Sequence, residues 1–433
     1  MLTRRRFLAA SSAAVVGTPW VRSFAAGEDR DKVRLGVIGV ADRGAANLAG
    51  VAAQDIVALC EVDEPRAAKA RQQFPKAAFF TDYRQMYDAA GKTFDAVVVS
   101  TPDHSHAAAA VRALKLGKHV YCEKPLAKSV AEVRAMRAAA TEAKVVTQMG
   151  TQIHAGENYR RVVEYVQSGV LGEVERVRVW CERRPDAGKR LPPPTPGLAF
   201  DLDQWLGPVP TEFFYATHPK WPHFNWRWWW EFGGGVLQDM GCHFLDLAFW
   251  ALGLTAPTRV TAAGTSLGGG ADNTVPKELC VEWTFPRSGR PDLPVTWHHG
   301  NPGPYLEADA DPVKYPGYAS GVAFVTKLGT LVSDYSKHKF IPAAGKDVPA
   351  APARSIPKSL GHHAEWLAAI RGTGQALCGF DYAGPLTEAV LLGNVAYRTG
   401  GTLDWDAKTA TAAGTPKAAE LLNPPRRPGW ELG

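Results

Sequence analysis

Asp239 and His243 stand four residues apart in FGGGVLQDMGCHFLD, just after three consecutive glycines. In a helix that spacing puts both side chains on one face, one turn apart. Leu237, Met240, Phe244, Leu245, Ala248 and Phe249 supply an apolar stripe that can seat such a helix. A buried acid can orient an imidazole, and an imidazole titrates where proton transfer at neutral pH needs a base. The same pair also serves as a plain helix-surface ion pair, so its surroundings must decide. Those surroundings are unusual: FNWRWWWEF sets four tryptophans and an arginine directly before the glycines.

A second chemical motif lies near the start, in KVRLGVIGVADRG. An apolar strand breaks there into Gly39-Val40-Ala41-Asp42-Arg43-Gly44, and an alanine-rich helix follows. The first glycine permits a tight turn, the last permits close helix–strand packing, and the helix N-terminus offers N–H groups to a pyrophosphate. Ala41 departs from the pattern, because a glycine at that position lets the phosphate approach more closely. Glu61, about twenty residues on, is the carboxylate expected at the ribose hydroxyls. It favours NAD over NADP, with Arg43 as the residue that would compensate for a 2′-phosphate.

The elements around this loop are legible. IVALCEVD, FDAVVVSTP and HVYCEKP are buried β-branched runs separated by helical stretches such as SVAEVRAMRAAATEAK. That alternation predicts a doubly wound parallel sheet covered on both faces. Residues 32–150 are the expected dinucleotide-binding domain, with Thr101, Pro102, His106, Glu123 and Lys124 at its strand ends. His104 and His106 are expected to line the cofactor cleft. Residues 151–433 are the expected second domain.

A chain of 433 residues exceeds one core. Its formal charge is +6, but Arg4, Arg5, Arg6 and Arg22 precede the first acid, and removing these four leaves +2. No basic stripe remains to suggest nucleic acid. TRRRFLAASSAAVVG, with small residues at Ser23-Phe24-Ala25, reads as a signal peptide over residues 1–26, and Arg5-Arg6-Phe7-Leu8 resembles a twin-arginine export signal. Its apolar run is too weak for a membrane span. The expected location is therefore periplasmic or extracellular, reached in the folded state. Cys60, Cys122, Cys181, Cys242, Cys280 and Cys378 show no metal-ligand spacing, and no metal site is expected. The His298-His299 and His362-His363 pairs diverge on a strand or helix, which argues against ligation.

The chain resembles the glucose–fructose oxidoreductase, inositol dehydrogenase and rhizopine-catabolism (Gfo/Idh/MocA) family. STPDHSHA, CEKPLA, GGGVLQDMGCHFLD and DYAGPLTEAVLLGNVAYRTGGTLDWD carry the resemblance, which covers nearly the whole mature chain. It implies an N-terminal Rossmann domain and a C-terminal α/β domain with a large, mostly antiparallel sheet. It further implies homo-oligomers, and a Gly-Trp tail that wraps back over the molecule. By the same resemblance Lys124 lies beside nicotinamide and substrate hydroxyl, and Asp239 and His243 act in catalysis.

The residue chemistry agrees. Oxidising a secondary alcohol needs a hydride acceptor and a base, for which His243 is suited; Asp239 would fix its tautomer and Lys124 would steady the alkoxide. Aromatic faces stack on the C–H faces of sugars while Arg and Asn hold hydroxyls, so Trp226, Arg227 and Trp228 are the expected substrate wall, with other tryptophans in the core. The expected function is NAD(P)-dependent oxidation of a sugar or cyclitol hydroxyl with tightly bound cofactor. Two alternatives stand beside it: a redox-neutral NAD-dependent glycosidase or lyase, and a non-catalytic sugar-binding relative.

Overall fold

The computed structural model describes residues 32–191, 200–210, 215–216, 222–267, 273–300 and 315–432. The expected signal at 1–26 lies outside the described residues.

Six strands form the first sheet: β1 (Arg34–Ile38), β2 (Asp55–Cys60), β3 (Ala78–Phe80), β4 (Ala96–Val99), β5 (His119–Glu123) and β6 (Thr147–Gly150). They run parallel in the order β3-β2-β1-β4-β5-β6. The AVVV of β4 is buried on both faces, as a sheet covered by helices on each side requires. One such helix, Val130–Ala143, starts where Ser129 and Glu132 form a reciprocal capping box. Strand order reverses between β1 and β4, and in open α/β sheets ligands bind in the crevice at that point.

The second sheet is larger. It comprises β7 (Val174–Cys181), β10 (Arg259–Ser266), β11 (Pro276–Phe285), β12 (Leu293–His299), β13 (Gly321–Thr326), β14 (Gly329–Ser333), β15 (His338–Pro342), β16 (Thr402–Asp406) and β17 (Thr411–Ala413). Their order is β15-β14-β13-β7-β12-β11-β10-β16-β17, antiparallel throughout except for the parallel β7–β12 pair. The short strands β8 (Arg190–Leu191) and β9 (Tyr215–Ala216) pair separately.

Two long helices, Gly235–Leu252 and Phe380–Thr399, pack between the sheets. The second is tied to β11 by Trp283, whose indole N–H donates to the Ala389 carbonyl at 2.8 Å. The C-terminal part of the chain also returns to the first sheet. Trp366, Leu367 and Ile370 of the helix His362–Ile370 join Val33, Leu35 and Val37 in one core. Trp430 meets Tyr83 edge-on at 6.1 Å, beneath the Arg84 guanidinium. These returns brace the two sheets against each other, so the crevice between them is walled by packed elements. No helix among the described residues is long and apolar enough to cross a membrane.

Candidate active site

The crevice is a cleft of about 1520 Å³, open mouth included, lined from both halves of the molecule. On the first sheet it begins at the glycine loop after β1. Gly39 has φ +78°, and a Cβ there would lie 2.6 Å from the Ser100 carbonyl oxygen. A Cβ on Gly44 would lie 2.1 Å from the Gly39 carbonyl oxygen. Both glycines are thus required by backbone packing, which brings the loop and the start of the helix Arg43–Gly50 to the cleft. Ala41, Asp42 and Arg43 line it, with Thr101 and Pro102 from the end of β4. This cradle fits a dinucleotide, since the glycine loop and the start of a helix border the open space.

Glu61 also lines the cleft, yet its carboxylate has a second task. It accepts the Val40 amide of the glycine loop at 3.1 Å and the Asp63 amide at 3.3 Å. Burial raises its pKa, while those two amides oppose the rise. Three expected site residues do not reach the cleft. Gly44 packs behind the loop. His106 is buried, its ring nitrogens 2.7 Å from the Thr101 carbonyl oxygen and 2.8 Å from that of Pro125, so it spaces the loops that carry the site. Trp228 is buried behind Phe224. His104 likewise faces the Trp205 carbonyl at 2.7 Å and packs on Trp205 and Phe232 instead of lining the cleft.

At the other end of the cleft Lys124, Asp239 and His243 come together from elements that are far apart in sequence. Lys124 follows β5. Its ammonium donates to Asp239 Oδ1 at 2.8 Å and to the Asp239 carbonyl at 2.5 Å. Glu123 beside it is buried and accepts Asn47 Nδ2 at 2.9 Å and Gln152 Nε2 at 2.6 Å, a bridge between the strand end and neighbouring elements.

Asp239 does not orient His243, contrary to the sequence reading. Its oxygens are taken by Lys124, by Arg227 Nε at 3.1 Å and by Arg183 Nη1. Burial alone would raise its pKa, but Lys124, Arg227 and Arg183 together hold the carboxyl well below the usual range. The His243 Nδ1 is buried without a hydrogen-bond partner. Burial first and the Lys124 charge second push its pKa down to about 3, so the ring is neutral at physiological pH.

Three further residues frame this end; Arg183 and Tyr335 had no sequence signal of their own, and Asp103 sits inside STPDHSHA without being singled out there. Arg183 lies just beyond β7, with its guanidinium 5.2 Å from the Phe224 ring centroid. Tyr335, from the β14–β15 connection, stacks on Phe244 at 4.7 Å and meets His243 edge-on, its buried hydroxyl unpartnered. Asp103 is buried, accepts Gln238 Nε2 at 2.9 Å, and has its pKa raised by burial to about 7. Their contacts are contributed by residues more than 40 positions away, so no local spacing marks them.

The tryptophan run is mainly structural. Asn225–Trp228 form a 3-10 turn; Trp228, Trp229 and Trp230 are buried, and Trp226 lines the cleft. The Arg227 guanidinium lies 4.3 Å from the Trp226 ring centroid and 4.6 Å from that of Phe224. The aromatic faces thereby aim a fixed cation at Asp239. Away from the cleft, His154, Asp246 and Cys378 place potential metal-ligand atoms within 4.8 Å of one another. Asp246 is already engaged there by His154 Nδ1 at 2.9 Å and the Tyr382 hydroxyl at 2.7 Å, which makes a hydrogen-bonded anchor for the helix Gly235–Leu252.

Residues 33–151 match the family model described as "Oxidoreductase family, NAD-binding Rossmann fold". Residues 209–306 match "GFO/IDH/MocA C-terminal domain", and the two together span half of the chain. The chain is similar to inositol 2-dehydrogenase 1 of Saccharopolyspora erythraea, 32% identical over 158 residues, which are 35% of this chain and 46% of that protein. It is also similar to a glycosyl hydrolase family 109 protein of Shewanella pealeana, 32% identical over 33% of this chain and 34% of that one. The chain spans about half the length of the curated relatives it matches. Among solved structures, an inositol dehydrogenase homolog from Azotobacter vinelandii, complexed with NADH and myo-inositol, shares the fold with a TM-score of 0.61. It is 17% identical, over 86% of this chain and 98% of that one. Family models, sheet order and cleft agree: the chain belongs to the GFO/IDH/MocA oxidoreductase family and carries its NAD-binding Rossmann domain.

Proposed function

We propose that the protein transfers hydride between NAD and a secondary hydroxyl of a sugar, cyclitol or sugar derivative. The observation that carries this reading is the meeting of Lys124, Asp239 and His243 in the cleft that also contains the glycine loop. NAD, when bound, supplies the hydride acceptor. Lys124 is placed to donate to the substrate oxygen and to favour its alkoxide. Asp239 holds Lys124 in position. His243 lines the cleft and its ring is neutral, so it can accept the hydroxyl proton. Negative charge developing on the substrate oxygen offsets the Lys124 charge and moves the His243 pKa up towards its task. Replacing His243 with Ala should lower carbohydrate-dependent reduction of nicotinamide at least about a hundredfold while NAD still binds; retained wild-type turnover would remove the mechanism.

A second reading is favoured by the similarity to a glycosyl hydrolase family 109 protein. Here oxidation at C3 of a glycoside acidifies the C2 proton, a base removes that proton, and the C1–oxygen bond breaks. Addition of water at C1, with a proton returned to C2, and return of the hydride to C3 close a redox-neutral cycle. The N-terminal residues bear on this choice. We propose that residues 1–26 direct export of the folded, NAD-loaded protein to the periplasm or beyond, where free NAD is scarce. Turnover with excess substrate and no added NAD separates the readings. A single stoichiometric burst of reduced nicotinamide means net oxidation that lacks a second substrate, whereas sustained product without net reduction means the closed cycle. Fractionation that leaves the mature protein in the cytoplasm would remove the export premise.

A further inference from the structure

We infer that the substrate is anionic, a uronic acid or another sugar bearing a carboxylate, and that Arg183 and Arg227 receive that group. The inference rests on the reading that this cleft takes a carbohydrate. Three cations, Lys124, Arg183 and Arg227, converge on the one carboxylate of Asp239. Holding Lys124 in place needs only one acid, and the two guanidiniums are surplus to that purpose. Neither is used up. Arg227 places Nε on Asp239 and Nη1 on the Phe224 carbonyl, while Arg183 places Nη1 on Asp239 and against the Met240 sulfur. The Nη2 of each has no hydrogen-bond partner among the described residues, and the two side chains keep 31% and 20% of their surface exposed along the cleft.

The other acids nearby do not answer that charge. Glu123 points its oxygens at Asn47 and Gln152 and faces the first sheet. Asp103 lines the cleft within reach of the Lys124 and Arg227 charges, but it already accepts Gln238 Nε2, and burial keeps it partly protonated near neutrality. His243 adds no charge of its own. The guanidiniums are also fixed before any ligand arrives, Arg227 between Trp226 and Phe224 and Arg183 against Phe224 and Trp228. A neutral sugar hydroxyl gains little from two immobilised forks, whereas a carboxylate is matched by their planar donor geometry at little further cost in side-chain entropy. The position is also chemically useful, because a carboxylate held there would orient the sugar's secondary hydroxyl towards Lys124 and His243.

The test is calorimetric titration of the full-length, NAD-loaded protein with methyl glucuronides and galacturonides and with the matching neutral glycosides, at low and high salt. At least one uronide should bind roughly ten- to a hundredfold more tightly than its neutral counterpart, and salt should weaken the uronide alone. Arg183→Gln and Arg227→Gln should each collapse the difference, and Arg183→Lys should restore part of it. Equal or tighter binding of the neutral glycosides, or failure of every uronide to bind, overturns the inference. A uronide preference that survives both Gln substitutions together overturns it as well. Nicotinamide absorbance in the same samples separates the two levels. Reduction by neutral glycosides alone discards the anionic substrate and keeps hydride transfer. Tight uronide binding without product or nicotinamide change keeps the anion subsite and discards the hydride-transfer chemistry.

Discussion

The Lys124 ammonium lies 2.8 Å from Asp239 Oδ1, joining the end of a Rossmann strand to the helix that begins at the triple glycine. Asp239 in turn gathers Arg183 and Arg227, so one buried carboxylate ties four chain segments into the wall of the cleft. Breaking a buried charge network by removing one member leaves the others uncompensated and costs far more than an exposed pair is worth.

Replacing Lys124 with Ala should therefore lower turnover by at least about a hundredfold, as expected for loss of a charge stabiliser. Steady-state kinetics with a saturating carbohydrate reads it. A wild-type kcat would show that Lys124 only braces the helix.

The pH profile should expose His243. Its pKa is pushed down to about 3 in the unliganded protein, so the ring can accept a proton at any pH above that value. The acid limb of kcat/KM due to His243 should lie well below pH 6.5, since that parameter reports the free enzyme. A limb near 6.5 that disappears in His243→Gln would contradict the burial argument.

Glu61 should govern cofactor choice and loop shape together. Glu61→Ala removes the acceptor of the Val40 amide and the carboxylate that repels a 2′-phosphate. Fluorescence titration of stripped protein should show NAD preferred over NADP in the wild type. In the variant NAD should weaken by about tenfold and the preference should be lost, in line with one or two lost hydrogen bonds. Equal wild-type affinities for both nucleotides would dismiss this role.

Asp103 predicts a pH-dependent stability. Its folded pKa, about 7, stands above the ordinary 3.8, so the folded state prefers the protonated acid. The stabilisation from that preference is complete below about pH 4 and is lost as pH rises through 7. Asp103→Asn keeps an acceptor for Gln238 and should raise Tm above pH 7 relative to wild type, by a free energy of at most roughly 4 kcal/mol. Parallel Tm curves for both proteins from pH 4 to 8 would show that the acid ionises at no cost.

The tryptophans should divide by position. Trp229→Ala, at a fully buried site, should cost about 3–5 kcal/mol of stability. Trp226→Ala should raise KM for the carbohydrate, because Trp226 lines the cleft and supports Arg227. Urea denaturation and kinetics on the two variants would reveal any exchange of these roles.

Local pattern determined much of this. Parallel strands that are buried on both faces must be continuously apolar, so β1, β2, β4 and β5 were legible as runs, and the glycine turn was legible because only backbone without a Cβ fits beside Ser100 and Gly39. The Asp239–His243 spacing correctly placed both on one helix at the cleft, since helical geometry depends on neighbours four residues away. What that spacing could not decide was the partner of Asp239. The choice fell to Lys124, Arg183 and Arg227, brought in by a strand end 115 residues earlier, a strand exit 56 earlier and a turn 12 earlier. The withdrawal of His106 and Trp228 into the packing, and the arrival of Tyr335 and Asp103 at the cleft, were likewise decided by tertiary structure. Burial and long-range charge depend on which surfaces meet when the two sheets close on one another, and no periodicity within a single element contains that information.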